Sequence, residues 1–338
     1  MGGLCVRVLI ADKFEAEGVE GLRDLGCEIV HEPGLTPETM PEAVGRIDPA
    51  VIVVRSTKVL APAIDKAKSL GFIIRAGSGY DNIDREAAGA RGISVSNCPG
   101  MNAVAVAELA MGHLINLDRR LPEQNEALKS GRWNKKEYGK ARGLKGMKLF
   151  VHGFGAIGQE VAIRAKAFGM SVYTTSHHLT AGEVERLGAT MIGPDRADVL
   201  AKLPMMDAVS VHVPVTDETK GSINAEFFGA MKPGAYFVNT SRGPVVDEKA
   251  LIEACKTKGI RAGLDVYCDQ PAATECDWKP DLAGTPGIYC SHHCGASTDQ
   301  AQLAVAEEVV RLVKVYKETG SCENVVNAEA LRTASAGA

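Results

Sequence analysis

Three short stretches carry side chains suited to chemistry. In "NTSRGPVVDE" Arg242 follows an apolar run, and in "AGLDVYCDQP" Asp265, Asp269 and Gln270 follow another. In "GIYCSHHCGAST" His292 and His293 lie between Cys290 and Cys294. A guanidinium can clamp a carboxylate through two parallel hydrogen bonds and polarise the carbonyl beside it. A histidine can give or take a hydroxyl proton. An arginine that holds the acid and a histidine that handles the proton are what hydride transfer to a 2-keto acid asks of a protein. The Cys290, His292, His293 and Cys294 quartet would also suit a soft metal. Neighbouring residues on a strand face opposite ways, however, so the two histidines do not converge and no metal is expected. Cys290 reads as a buried strand residue and Cys294 as a neighbour of the turn.

A fourth stretch supplies a place for a cofactor. "MKLFVHGFGAIGQEVAIRAKAFGMSVY" runs from a strand through Gly153, Gly155 and Gly158 into a helix and on to a second strand. The first glycine permits a tight turn, the second lets a pyrophosphate approach the backbone, and the third lets helix and strand pack closely. The helix start turns free N–H groups toward the anion. An acidic residue that would hold the adenosine ribose is missing, and Ser176 stands at its place in "YTTSHHLT". No carboxylate there repels a 2′-phosphate, and Thr175, Ser176, His177 and His178 could donate to one. No arginine is present either, so NAD and NADP both remain open.

These stretches need a scaffold. The chain of 338 residues is long enough for about two domains. Its net charge of −4 and lack of a long basic run offer nothing to nucleic acid, and no apolar run reaches membrane-spanning length. Nine scattered cysteines without a Cys-x-x-Cys pair, and an N-terminus that moves directly into a strand, fit a reducing, cytoplasmic setting. Apolar runs at "VRVLIA", "AVIVV", "GFIIR" and "GISVS" alternate with helical stretches, as parallel strands buried on both faces do. Thr36-Pro37 reads as a helix start. A largely apolar helix over residues 102–119 precedes a polar connection and a second alternating series, "MKLFVHG" through "GIYCS". A last helix, 297–318, is expected to return to the first unit, and the tail "TASAGA" is expected to be disordered.

With these residues assembled, the chain resembles the D-2-hydroxyacid dehydrogenases, nearest to their phosphoglycerate-oxidising branch. The resemblance rests on "VVRSTKV" (53–59), "RAGSGYDNID" (75–84), "NAVAVAELA" (102–110), "SGRW" (130–133), "GFGAIGQEVA" (153–162), "NTSRGPVVDEKAL" (239–251), "AGLDV" (262–266), "HCGASTDQAQ" (293–302) and "VVNAEAL" (325–331), in order along nearly the whole chain. It implies an α/β fold of two doubly wound parallel-sheet domains. A Rossmann cofactor domain, 100–295, is inserted into a flavodoxin-like substrate-binding domain, 1–99 plus 296–338. The long helix would form a homodimer contact. Arg242 matches the carboxylate-binding arginine and His293 the acid–base histidine. Asp265 would lie on the nicotinamide side. Arg55 and Ser56 resemble anion contacts, and Ser78, Gly79 and Asn102 substrate-side or cofactor-side contacts. Gly153, Phe154, Gly155, Ala156, Ile157, Gly158, Ser176, His212, Val213, Pro214, Thr240, Ser241 and Gly295 fall on cofactor-binding positions.

One position departs from the pattern. Gln270 stands where the family usually has glutamate. A glutamate favours imidazolium by charge, whereas a glutamine can only orient the ring. Formate dehydrogenases, which resemble this family, also carry glutamine there. The expected activity is hydride exchange between C2 of a small 2-hydroxy acid, 3-phosphoglycerate first, and NAD or NADP. Hydroxypyruvate or glyoxylate reduction and formate oxidation are alternatives, and a dinucleotide-sensing co-repressor is an alternative of another class. The chain ends where longer family members continue into regulatory domains, so feedback through such a domain is not expected.

Overall fold

The computed structural model describes residues 6–271 and 275–336. The chain forms two compact units, one from residues up to Asn102 together with those from Ser297 onward, the other Ala103–Ala296. Each unit is a parallel sheet sandwiched between helices. In the first, β1 (Arg7–Ile10), β2 (Glu28–His31), β3 (Val51–Val54), β4 (Phe72–Arg75) and β5 (Ser94–Asn97) lie in the order β2-β1-β3-β4-β5. This is the flavodoxin-like order, with its switch between β1 and β3. The second unit holds β6 (Lys148–His152), β7 (Ser171–Thr174), β8 (Thr190–Met191), β9 (Ala208–Val211), β10 (Tyr236–Asn239), β11 (Arg261–Leu264) and β12 (Ile288–Cys290). Its order, β12-β11-β10-β9-β6-β7-β8, is that of a dinucleotide fold with one added strand, and its switch lies between β6 and β9.

The apolar runs become the central strands for a simple reason. Val51–Val54, Ala208–Val211 and Tyr236–Asn239 are buried at every position, because helices cover both faces of each sheet. Each sheet therefore separates two apolar cores. The helix Asp299–Thr319 begins at Thr298, whose hydroxyl accepts the Ala301 N–H, and packs on the helix Ala16–Asp24 of the first unit. No helix among the described residues is long and apolar enough to cross a membrane.

Two expectations about elements fail. Thr36 does not start a helix; the helix begins at Met40 with Pro41 in its first turn. The hydroxyls of Thr36 and Thr39 instead accept each other's backbone N–H at 3.4 and 2.9 Å, closing a turn. The tail is not disordered through Ala336, because the helix Ala328–Ala336 includes most of "TASAGA"; Gly337 and Ala338 lie outside the described residues. Buried Asn327 ties the start of that helix to the fifth strand, accepting from Val95 N and donating to Ile93 O, both at 2.9 Å. Gly89 leaves no room for a Cβ against Ala330, so the helix is seated closely.

Candidate active site

In the second unit the carboxyl ends of the strands gather the chemistry-bearing residues. After β6 the chain turns at Gly153 with φ of +98°, and a Cβ there would lie 2.8 Å from the His212 carbonyl. A Cβ on Gly158 would collide with the Gly153 carbonyl oxygen. Gly155 is different, because a Cβ there meets nothing within 4 Å. It is also the N-cap of the helix Ala156–Ala167 and brings no side chain to cap the first N–H groups. Two of these glycines are thus demanded by packing and the third opens onto space beside uncapped N–H donors. Phe154 is buried and its carbonyl accepts from Gln159 Nε2 at 3.0 Å, while Ala156 is exposed and Ile157 packs against the core.

Around this turn the other cofactor candidates are placed as follows. Ser176 follows β7 and its hydroxyl oxygen accepts from the N–H groups of His178 and Leu179 at 3.2 and 3.0 Å, so it shapes its own loop. His212 follows β9, ahead of Val213 and Pro214, and its Nε2 pairs with Ser210 Oγ at 2.8 Å. His212 and His152 are half-buried as residues, yet Nδ1 of each is sealed from water with no partner among the described residues. Burial pushes them down to about 3 and about 4 respectively, so both rings are neutral. Thr240 is buried and its hydroxyl has no partner among the described residues, so a bound polar group could satisfy it.

Arg242 sits on a turn fixed by Asn239, a residue with no local sequence signature. Asn239 Oδ1 accepts from Ser241 N and Ser241 Oγ at 3.0 and 2.7 Å, and its Nδ2 donates to Arg242 O at 3.0 Å. Gly243 lets this turn press on the Tyr267 backbone, where a Cβ would collide with the carbonyl. Asp265 is buried, and its carboxylate is occupied by the chain that carries the histidines. Its Oδ1 accepts from Cys294 N at 3.0 Å and Ser291 Oγ at 2.6 Å, and its Oδ2 from Gly295 N at 2.8 Å. His293 is exposed with φ of +51°, and its Nδ1 lies 2.7 Å from Gln270 Nε2. His292 is exposed beside it. Cys290 is exposed, not buried, because it is the last residue of an edge strand. Among the described residues no three His, Cys, Asp or Glu side chains gather as a metal site would require.

In the first unit one carboxylate organises the anion candidates. Asp12, just past β1, accepts from the backbone N–H of Arg55, Ser56 and Thr57 at 2.6, 3.3 and 3.2 Å and from the Ser56 and Thr57 hydroxyls at 3.1 and 3.0 Å. The guanidinium of Arg55 donates to Gln302 Oε1 at 2.7 Å and approaches Glu15 to 4.0 Å. Ser78 Oγ donates to Asn102 Oδ1 at 2.6 Å, and Gly79 follows, half-buried. These groups sit at the carboxyl ends of the first sheet's strands, the Arg55 turn at its switch point.

Residues 111–295 match a sequence model of the D-isomer specific 2-hydroxyacid dehydrogenase, NAD binding domain. This chain belongs to the D-isomer specific 2-hydroxyacid dehydrogenase family. It is 39% identical over 325 residues to the D-3-phosphoglycerate dehydrogenase of Methanocaldococcus jannaschii, covering 95% of this chain and 59% of that protein. It is 39% identical over 318 residues to the hydroxypyruvate reductase of Thermotoga maritima, covering 93% and 98%. Its fold is similar to the NADPH-dependent glyoxylate/hydroxypyruvate reductase of Sinorhizobium meliloti, solved with NADP and malonate. There the TM-score is 0.78 at 29% identity over 96% of this chain and 98% of that one. The chain thus spans under three fifths of the phosphoglycerate dehydrogenases from M. jannaschii and Archaeoglobus fulgidus, at 59% and 58% of their lengths. A nicotinamide dinucleotide is the cofactor the family match supports, and the open face of Gly155, the uncapped helix start and the orphan Thr240 hydroxyl fit it. In a D-2-hydroxyacid dehydrogenase of this sequence, Gly153 to Gly158 would hold the pyrophosphate.

Proposed function

We propose that this chain exchanges a hydride between C2 of a D-2-hydroxy acid and a nicotinamide dinucleotide, with 3-phosphoglycerate as the first substrate to test. One observation carries the reading. A dinucleotide-type turn, the Arg242 turn and the Gln270–His293 pair lie at the carboxyl edge of one parallel sheet. When bound, the nicotinamide supplies the hydride acceptor or donor at its C4. Arg242 binds the substrate carboxylate and fixes C2. In oxidation the C2–H bond breaks with its electron pair, and the hydroxyl proton passes to His293 Nε2. In reduction the same nitrogen returns it. Arg55 and Ser56 bind the substrate's remote anion, with Ser78, Gly79 and Asn102 as further contacts. We assign residues 1–99 and 296–338 to substrate binding and 100–295 to the cofactor, and we propose a homodimer.

Both NAD and NADP suit Ser176, which neither repels a 2′-phosphate nor supplies a cation for one. Hydroxypyruvate or glyoxylate reduction is the second reading, favoured by the T. maritima reductase, which this chain covers over 98% of its length. A matrix of phosphohydroxypyruvate, hydroxypyruvate and glyoxylate, each with NADH and NADPH, separates them. We expect the highest kcat/KM with phosphohydroxypyruvate and loss of turnover in His293→Ala. Dinucleotide binding without turnover on any of these acids would refute the enzyme and leave a dinucleotide sensor.

A further inference from the structure

The loop that carries His293 is held from below by a side chain on a distant element. His113 lies on the helix Ala103–Arg119, almost fully buried, and its Nε2 is 3.1 Å from Ser291 Oγ. Ser291 Oγ is 2.6 Å from Asp265 Oδ1, and Asp265 accepts from the backbone N–H groups of Cys294 and Gly295. We propose that His113 is a positioning residue: as its Nε2–H tautomer it holds the Ser291 hydroxyl on Asp265, and Asp265 in turn fixes the backbone next to His293.

The directions of the bonds follow from the donors available. An ionised carboxylate only accepts, so the serine proton points to Asp265, and the serine oxygen must accept from His113. The His113 lone pair is then on Nδ1, which is buried and has no partner among the described residues. An orphan buried nitrogen is a liability that an apolar side chain would avoid. The bond to Ser291 supplies a reason for imidazole at this place. Burial lowers the His113 pKa and the nearby Asp265 charge opposes that shift, so the ring stays neutral, as a donor to serine requires.

Neighbouring residues are shaped around the same chain. Gly263 of β11 makes room for the ring, since a Cβ there would lie 2.7 Å from His113 Cβ and Cγ. Gly295 likewise makes room for the carboxylate, where a Cβ would lie 3.0 Å from Asp265 Oδ2. His293 itself has φ of +51°, a conformation that persists in a β-carbon-bearing residue only when its surroundings enforce it. The two amides that follow it are the ones Asp265 holds.

The proposal rests on reading His293 as the proton-handling group, but its structural half can be measured without activity. The full chain would be compared as wild type, His113→Leu, His113→Gln, Ser291→Ala and the double variant His113→Leu/Ser291→Ala. Amide exchange across 291–296 and steady-state kinetics would both be followed. In His113→Leu we expect exchange at Cys294 and Gly295 at least tenfold faster and kcat about tenfold lower. The keto-acid KM and the NADH Kd should stay within twofold. His113→Gln, which restores a donor, should bring kcat to within threefold of wild type, and the double variant should be no worse than His113→Leu. Unchanged exchange in His113→Leu, or losses that multiply in the double variant, would overturn the proposal. Should His113→Leu fail to fold, Ser291→Ala decides by the same two readouts. A wild type without turnover on any 2-keto acid refutes the reading of His293 alone, and the exchange rates still decide whether His113 holds the loop.

Discussion

At position 270 an amide faces a histidine, and its orientation is set by the backbone. The Tyr267 N–H donates to Gln270 Oε1 at 3.3 Å, which turns Nε2 toward His293 Nδ1 at 2.7 Å. An amide NH₂ only donates, so Nδ1 accepts and the neutral ring carries its proton on Nε2. That tautomer is ready to donate to a keto oxygen. Before it can accept a hydroxyl proton, the amide must turn over. In Gln270→Glu a carboxylate would accept from Nδ1–H and stabilise imidazolium, raising the histidine's pKa. Oxidation needs the unprotonated ring, so its acid limb should move to higher pH, by roughly one unit for an exposed pair. Superimposable pH profiles of kcat/KM for wild type and Gln270→Glu would sink the pairing. At this scale the sequence displayed Arg242, His293 and Gln270 because each sits in a patterned stretch. It did not display Asp12, Asn239 or His113. Their work is to tie one loop to another, and a lone carboxylate after a strand or a lone histidine in an apolar helix has no local signature.

The turn between β6 and the helix Ala156–Ala167 allows two glycine roles to be separated. Gly158 faces the Gly153 carbonyl, and Gly155 faces space. Gly158→Ala should therefore cost about 1–3 kcal/mol of stability by overpacking and weaken dinucleotide binding as well. Gly155→Ala should leave the melting temperature within about 2 °C. Its added methyl would occupy the place where a pyrophosphate approaches, so the dinucleotide Kd should rise at least tenfold. Fluorescence titration with NADH beside thermal melts checks both, and equal melting losses in the two variants would count against the assignment. Elements of this kind were legible wherever a strand is buried on both faces, because an uninterrupted apolar run has few other uses in a sheet protein. Ends were less legible. Thr36 has the look of a cap but closes a turn with Thr39, and the helix running to Ala336 is illegible because the contacts that seat its start, Asn327 with Val95 and Ile93 and Ala330 against Gly89, come from residues far away in sequence.

At the scale of the whole molecule, the second unit exposes large apolar side chains on and just after the helix Leu121–Lys129. Trp133 is 79% exposed and Leu128 57%, and both line a hollow with Ala127 and Tyr138. Single exposed apolar residues are ordinary, but Trp133 and Leu128 line one hollow, and we propose that it adds to the homodimer contact expected of the long helix 102–119. A two-fold pairing lets one patch serve both partners, which is why a second copy of this chain is the economical occupant. Some of the surrounding charges are paired within the chain, Arg120 with Glu137 at 2.6 Å and Lys140 with Glu137 at 3.0 Å, while Arg132 and Lys135 line the hollow itself. The exposed apolar area of Trp133 and Leu128 is what a partner would bury, and its loss on substitution should be visible. Trp133→Glu combined with Leu128→Glu should convert a dimer into a species near the 35.8 kDa of one chain, with circular dichroism unchanged because neither side chain supports the core. Sedimentation velocity at micromolar concentration decides the matter. A wild-type protein that already sediments as one chain there would remove the homodimer, and a double variant that stays dimeric would move the interface to another face.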